Sequence, residues 1–117
     1  MSARLVPAPA CVDIVAKMSA LRIAKKNELA AELLAPDATW TTPSEGTATG
    51  RAAILALWAA QDKKAAWAKT RIEEPIALDK NHCSRVLHVS LMGVGGSAIQ
   101  HFESKNGLIV AVRVEKL

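Results

Sequence analysis

The stretch that decides the fold runs from residue 84 to residue 115 and reads SRVLHVSLMGVGGSAIQHFESKNGLIVAVRVE. It contains three runs rich in apolar and β-branched residues, at 84–92, 97–104 and 108–115. Two segments that contain glycine separate these runs, at 93–96 and 105–107. Short connections of this kind join antiparallel neighbours in hairpins. The second half of the chain therefore predicts an antiparallel sheet.

The first half of the chain has a different pattern. Apolar residues recur there at steps of three and four, which is typical of amphipathic helices. In chain order, the patterns predict a helix at 12–26, a short helix from Asn27 to Pro36, a strand at 38–42, a helix at 51–63 and a strand-like run at 65–78. Helices followed by consecutive strands indicate an α+β fold.

The length of 117 residues corresponds to a single domain. Pro7 and Pro9 exclude a helix at the start, so we expect an extended tail at 1–10 and one domain at 11–117. Half of the residues are hydrophobic, which argues against disorder. No unbroken apolar stretch resembles a secretory signal or a membrane span. We therefore predict a cytoplasmic protein that does not contact membranes.

Charge and cysteine spacing argue against several kinds of partner. The net charge of +4 comes from scattered basic residues, and with three Trp, one Phe and no Tyr few aromatic residues could stack on bases. Nucleic-acid binding is therefore not expected. Cys11 and Cys83 have neither CxxC nor zinc-site spacing, so we predict free thiols and no metal. The glycines at 93–96 precede a strand and form no phosphate loop, so no cofactor is predicted.

Three short strings resemble the SnoaL-like branch of the nuclear transport factor 2 (NTF2) superfamily. They are LLAPDATW at 33–40, TGRAAI at 49–54 and NGLI at 106–109, in the order and at the separations of that family. The resemblance implies a cone in which a curved antiparallel sheet wraps three N-terminal helices. Members of this superfamily include isomerases, dehydratases, cyclases, epoxide hydrolases and binding domains without catalysis. The fold alone therefore does not name an activity.

The catalytic residues of ketosteroid isomerases, one branch of the superfamily, have no match in this chain. In those enzymes a general-base Asp precedes the proline that ends the first strand, and here that residue is Thr42. Their oxyanion hole uses a Tyr and a protonated Asp, whereas this chain has no Tyr and has Ala98 at the Asp position. A hydroxyl cannot take a proton from carbon at neutral pH. The resemblance therefore does not extend to ketosteroid isomerase chemistry.

The family's pattern implies which residues face the cavity of the cone. It predicts a mostly apolar pocket with His88 as the candidate catalytic residue, because imidazole titrates near neutral pH. The predicted ligand-binding residues are Trp40, Thr42, Trp58, Ser90, Gln100 and Val112. Two alternatives remain: His88 is a hydrogen-bonded structural residue, or the cavity is a filled core.

The predicted function is to bind a small apolar or weakly acidic molecule, with Arg71 as a candidate contact for an anion at the mouth. One alternative is a cofactor-free isomerase, dehydratase or cyclase that uses His88 as acid or base. Another is a non-catalytic module for dimerisation or protein interaction. We also expect a homodimer that packs sheet to sheet through an apolar outer patch. The residues of that patch would be Leu87, Val89, Leu91, Ile109 and Ala111.

Overall fold

The computed structural model describes residues 9–65, 69–91 and 94–117. The predicted tail therefore lies outside the described residues except for Pro9 and Ala10. The described helices are α1 (Cys11–Ile23), α2 (Asn27–Ala31) and α3 (Arg51–Ala65). The described strands are β1 (Leu34–Thr42), β2 (Gly46–Thr49), β3 (Lys69–Ile72), β4 (Ile76–Asp79), β5 (His82–Leu91), β6 (Val94–Lys105) and β7 (Leu108–Lys116).

The helices differ from the expected three N-terminal helices in length and position. α1 and α3 are long, but α2 has only five residues, and α3 follows the first two strands. Pro36 excludes only the last residues of the predicted helix, because it disfavours helical backbone at Ala35. α2 ends earlier, at Ala31, and β1 begins at Leu34. α1 ends three residues earlier than predicted, and Lys25 adopts a φ of 60° in the turn that follows it.

The sheet is mixed rather than antiparallel throughout. The strand order is β2-β1-β7-β6-β5-β3, and β4 also pairs with β5. The hairpin pairs β5–β6 and β6–β7 are antiparallel, as the sequence predicts, but β1 runs parallel to β7. Hairpin turns fix the direction only of consecutive strands. β1 and β7 lie at opposite ends of the chain, so no hairpin constrains their relative direction.

Three short strands, β2, β3 and β4, depart from the predicted runs. The run at 65–78 is divided into β3 and β4, with Pro75 in the segment between them. β2 pairs with β1 and lies between the predicted strand at 38–42 and the predicted helix at 51–63, where no strand was predicted. Gly50 then leads into α3 with a φ of 90°, and its N–H donates to the carbonyl of Ala38 over 2.7 Å. This left-handed backbone favours glycine and directs α3 back across the sheet.

The core lies between the helices and the inner face of the sheet. α1 contributes Val15 and Met18, and α3 contributes Ile54 and Trp58, all at most 1% exposed. The ring centroids of Trp40 and Trp58 are 5.6 Å apart in an edge-to-face arrangement, a favoured aromatic geometry. No helix in the described part of the chain is long and apolar enough to cross a membrane.

Candidate functional site

A cavity of about 530 Å³ remains open beside this core, between α1, α3 and the inner face of the sheet. Its volume lies within the range of ordinary small-molecule sites. Apolar side chains and a small polar cluster share its walls. The lining residues are Met18, Ser19, Arg22, Ile23, Trp40, Thr42, Gln61, Asp62, Thr70, Ile72, Arg85, Leu87, Val89, Gln100 and Val114.

The register between β5 and β6 determines which side chains enter this cavity. Arg85 lies opposite Gln100, and His88 lies opposite Ser97. Residues directly opposite each other in an antiparallel pair point to the same face, and successive residues alternate. The odd-numbered residues of β5 therefore share the inner face with Gln100. The even-numbered residues, including His88, share the outer face with Ser97.

Arg85 is the central polar group of the cavity. Its side chain is buried, with 7% of the residue exposed. Nε donates to Oε1 of Gln100 over 2.7 Å, Nη1 donates to the hydroxyl of Ser19, and the guanidinium lies 5.3 Å from the ring centroid of Phe102. Burial lowers the pKa of Arg85 to about 10, with a smaller contribution from the positive charge of Arg22. Arg85 is thus still a cation at neutral pH.

Arg22 lies nearby but, unlike Arg85, has a counter-ion. Its Nη2 donates to Oδ1 of Asp62 over 3.1 Å, and its guanidinium lies 4.7 Å from the ring centroid of Trp58. Burial lowers the pKa of Arg22, and the charge of Asp62 opposes that shift. Asn27 also donates to Asp62, over 2.9 Å. Asp62 therefore neutralises Arg22, and among the described residues no carboxylate contacts Arg85.

The structure brings three of the predicted ligand-binding residues together at the cavity: Trp40, Thr42 and Gln100. The hydroxyl of Thr42 also accepts a hydrogen bond from the N–H of Glu45 over 3.1 Å, so it supports the turn after β1. Trp58 and Val112 do not line the cavity. They are 0% and 2% exposed and belong to the core.

The expectation that His88 and Ser90 face the cavity is wrong. Both line a separate groove on the outer face, of about 400 Å³, which we call the outer groove. There the carboxylate of Glu73 accepts a hydrogen bond from Nε2 of His88 over 2.5 Å. With the proton on Nε2, Nδ1 accepts a hydrogen bond from the hydroxyl of Ser97 over 2.6 Å. His88 therefore has the orienting carboxylate that the sequence did not reveal.

Arg71 and most residues of the predicted outer patch also lie in positions that differ from the prediction. Arg71 lines the outer groove rather than the mouth of the cavity. Leu87 and Val89 line the cavity, and Ile109 is completely buried. The side chain of Leu91 lies outside the described residues. Val89 also lines the outer groove, and Ala111 lies opposite the exposed Glu103. The five residues therefore do not form one apolar patch on the outer face, and the homodimer stays a prediction.

Sequence reasoning missed Ser19, Arg22, Asp62 and Arg85 as cavity residues. The family's pattern placed His88 and Ser90 in the cavity, which is one residue out of step with the faces of β5 in the structure and excludes Arg85. The alternation around it contained the correct signal, because Cys83, Leu87 and Val89 are apolar while Ser84, His88 and Ser90 are polar. Among the described residues, no group of three or more His, Cys, Asp or Glu could hold a metal ion.

Comparisons with known proteins bear on the fold. The sequence matches no family model and no curated protein. Solved structures do resemble it. An NTF2-like protein of unknown function from Cytophaga hutchinsonii superposes with a TM-score of 0.74 at 14% identity, covering 100% of this chain and 95% of that one.

Two further similar structures carry functional names. A proposed polyketide cyclase from Sinorhizobium meliloti has a TM-score of 0.73 at 24% identity, covering 88% of this chain and 94% of its own. A proposed ketosteroid isomerase from Kribbella flavida has a TM-score of 0.74 at 19% identity, covering 90% and 76%. The chain therefore has the NTF2-like fold, a mixed α+β fold with a curved sheet, which is the fold that the resemblance in the sequence implied. At these sequence identities, the similarity to the solved structures concerns the fold and does not extend to function.

Proposed function

We propose that this protein binds a small, largely apolar molecule that carries a single carboxylate. The observation that supports this function is the buried cation of Arg85, which lines the cavity without a carboxylate partner among the described residues. Burial of an uncompensated charge is costly. A ligand carboxylate in the cavity would supply the missing counter-charge.

The charges of the cavity favour a ligand with one negative charge. Arg22 and Arg85 supply two positive charges to the described lining, and Asp62 supplies one negative charge. The described lining therefore has a net charge of two minus one, which is one positive charge. Nη2 of Arg85 has no acceptor among the described residues, so it is available to a carboxylate oxygen. Trp40, Leu87 and Val114 provide apolar surface for the rest of the ligand.

Catalysis within the cavity has less support than binding. Asp62 is the one carboxylate among the described lining residues. Both of its carboxylate oxygens already accept hydrogen bonds, one from Arg22 and one from Asn27. His88, the residue proposed for acid–base chemistry, lies on the other face of β5. The cavity therefore fits a binding site better than an isomerase, dehydratase or cyclase site.

A matched pair of probes tests the proposal: 2-naphthoate and its uncharged amide, 2-naphthamide, measured by isothermal titration calorimetry. We expect the wild-type protein to bind the carboxylate about tenfold or more tightly than the amide. Arg85→Gln should remove this preference. Arg71→Gln, in the outer groove, is the control and should keep it. Equal affinity for both probes in the wild type, or a preference that survives Arg85→Gln, would refute the proposal.

A second candidate function is hydrolysis of small esters in the outer groove. The chain of hydrogen bonds from Ser97 through His88 to Glu73 supports it, since a hydroxyl, a base and an orienting carboxylate form a nucleophilic site. Hydrolysis of p-nitrophenyl acetate tests this candidate. Ser97→Ala and His88→Gln should abolish turnover, whereas Arg85→Gln should not change it. Turnover that is equal in all four proteins would exclude the outer groove as a catalytic site.

The predicted cytoplasmic location and homodimer remain part of the proposal. The outer face of the sheet presents Val86 opposite Ile99, both half-buried, between polar neighbours. Such a surface would suit a weak sheet-to-sheet contact. Light scattering should give twice the chain mass for the wild type and the single mass for Val86→Lys. A single mass for the wild type at high concentration would exclude the dimer.

A further inference from the structure

Two cysteines that are far apart in the sequence meet in the core. Cys11 is the first residue of α1, and Cys83 is the second residue of β5. Their Sγ atoms are 2.7 Å apart, although 72 positions separate them in the chain. They are 0% and 1% exposed, and they are the only two cysteines in the sequence.

The surrounding backbone holds the two sulfur atoms in place. The N–H of Cys11 donates to the carbonyl of Lys80 over 2.7 Å, which attaches the start of α1 to the turn before β5. The Sγ of Cys11 also lies 3.6 Å from the carbonyl oxygen of Phe102, on β6. A disulfide bond is about 2.05 Å long. The sulfur atoms therefore need to approach by only about 0.7 Å to bond.

We infer that Cys11 and Cys83 are a site of reversible disulfide formation, which links α1 covalently to β5. Cys11 is the attacking thiolate, because a thiol at the start of a helix is more readily ionised. The hydrogen bond with Cys83 lowers the pKa of Cys11, and the same contact together with burial raises the pKa of Cys83. Free thiols, expected from the sequence, are then the state of the protein in reducing solution.

The oxidant is a small disulfide such as oxidised glutathione, and the exchange is balanced. The Cys11 thiolate attacks one sulfur of the oxidant, forms a mixed disulfide and releases one glutathione thiolate. The Cys83 sulfur then attacks Cys11 and releases the second glutathione. Two protein thiols lose two electrons to the glutathione disulfide, and their two protons end on the two released glutathione thiols.

The cross-link joins two walls of the cavity. α1 carries Met18, Ser19 and Arg22, while β5 carries Arg85 on the same face as Cys83. A bond between Cys11 and Cys83 fixes the start of α1 against the strand that positions Arg85. The bond also closes a loop between residues 11 and 83. Loop closure lowers the conformational entropy of the unfolded chain and so stabilises the folded state.

Refolding in a glutathione mixture tests the site without requiring the oxidant to enter a closed core. The denatured chain is refolded with oxidised and reduced glutathione, then unfolded again in the presence of iodoacetamide and weighed intact. We expect no carbamidomethyl groups, no glutathione adducts and a mass two hydrogen atoms below that of the reduced, unalkylated protein, whereas a sample reduced before alkylation should carry two carbamidomethyl groups. The oxidised protein should melt about 10 °C above the same protein in dithiothreitol.

Cys11→Ala and Cys83→Ala are the matched controls, because each leaves one thiol. Each variant should keep one alkylatable cysteine, or carry one glutathione, and should melt at the same temperature with and without reductant. Two alkylated cysteines or two glutathione adducts in the refolded wild type would overturn the inference. A disulfide that forms but does not raise the melting temperature would overturn its stabilising role.

Discussion

The two faces of β5 both carry ionisable side chains, and the surroundings of these groups differ. On the outer face His88 is half-exposed and contacts the carboxylate of Glu73. On the inner face Arg85 is buried, and its acceptors are the neutral side chains of Gln100 and Ser19. Water can solvate the outer pair if it separates, so the pair adds little to stability. Water cannot solvate a buried cation in this way. The lack of a counter-ion therefore points to a ligand site only for the buried Arg85, on the inner face.

The largest expected effect concerns the core that borders the cavity. Trp58 is completely buried between Trp40 and Arg22, so Trp58→Ala should lower the free energy of unfolding by about 3–5 kcal/mol. Leu78→Ala, at a residue that is 70% exposed, is the control and should change it by less than about 0.5 kcal/mol. Urea unfolding measures both values. Similar values for the two variants would show that the helices do not pack on the inner face as described.

An intermediate effect on the free energy of unfolding tests whether Arg85 stabilises the fold or serves to bind a ligand. Gln100→Leu leaves Nε of Arg85 without its acceptor, so the free energy of unfolding should fall by about 1–3 kcal/mol. The double variant Arg85→Met with Gln100→Leu removes both partners and should recover most of this loss, since apolar replacement of a buried polar pair is nearly neutral. Urea unfolding without ligand measures both variants. A double variant as unstable as the single one would assign Arg85 to the structure rather than to a ligand.

The smallest effect belongs to an exposed pair in the turn before β5. Asp79 accepts a hydrogen bond from Nδ1 of His82 over 2.8 Å, and this contact raises the pKa of His82 above its ordinary value. A raised pKa means that the pair stabilises the fold while His82 is protonated. This contribution is complete below the unfolded pKa of about 6.5 and is lost as the pH rises through the folded pKa.

Titration of His82 by NMR measures this pair directly. Asp79→Asn should lower the pKa of His82 towards its ordinary value, and Asp37→Asn, at an exposed residue on another strand, should leave it unchanged. The melting temperature of Asp79→Asn should differ little from that of the wild type at any pH, as expected for an exposed pair. A His82 titration that is identical in the two variants would mean that Asp79 does not hold the imidazole in solution.

The sequence predicted the consecutive elements better than their long-range arrangement. The hairpins of β5, β6 and β7 follow from local turn residues such as Asn106 and Gly107, so their direction was predictable. The parallel pairing of β1 with β7 depends on contacts between distant segments, which no local pattern records. The end of α2 at Ala31 was missed because the helix stop visible in the sequence, Pro36, restricts only the residue before it.

The candidate site was predictable on some strands and not on others. The family's pattern placed Trp40, Thr42 and Gln100 in the cavity, and they do line it. On β5 the same pattern was wrong by one residue, so His88 was placed in the cavity in place of Arg85. Arg22 and Asp62 could not be paired from the sequence, because their contact depends on how α1 and α3 lie against each other.

The position of β7 determines when this protein can fold. β7 follows the other six described strands in chain order, yet it lies in the interior of the sheet between β1 and β6. A ribosome-bound chain that ends before residue 108 has no partner for the β1 edge and leaves the β6 edge open. Open strand edges promote association with other chains. The described sheet is therefore completed only after β7 has been made, and its assembly is a late, cooperative event that depends on contacts between distant segments.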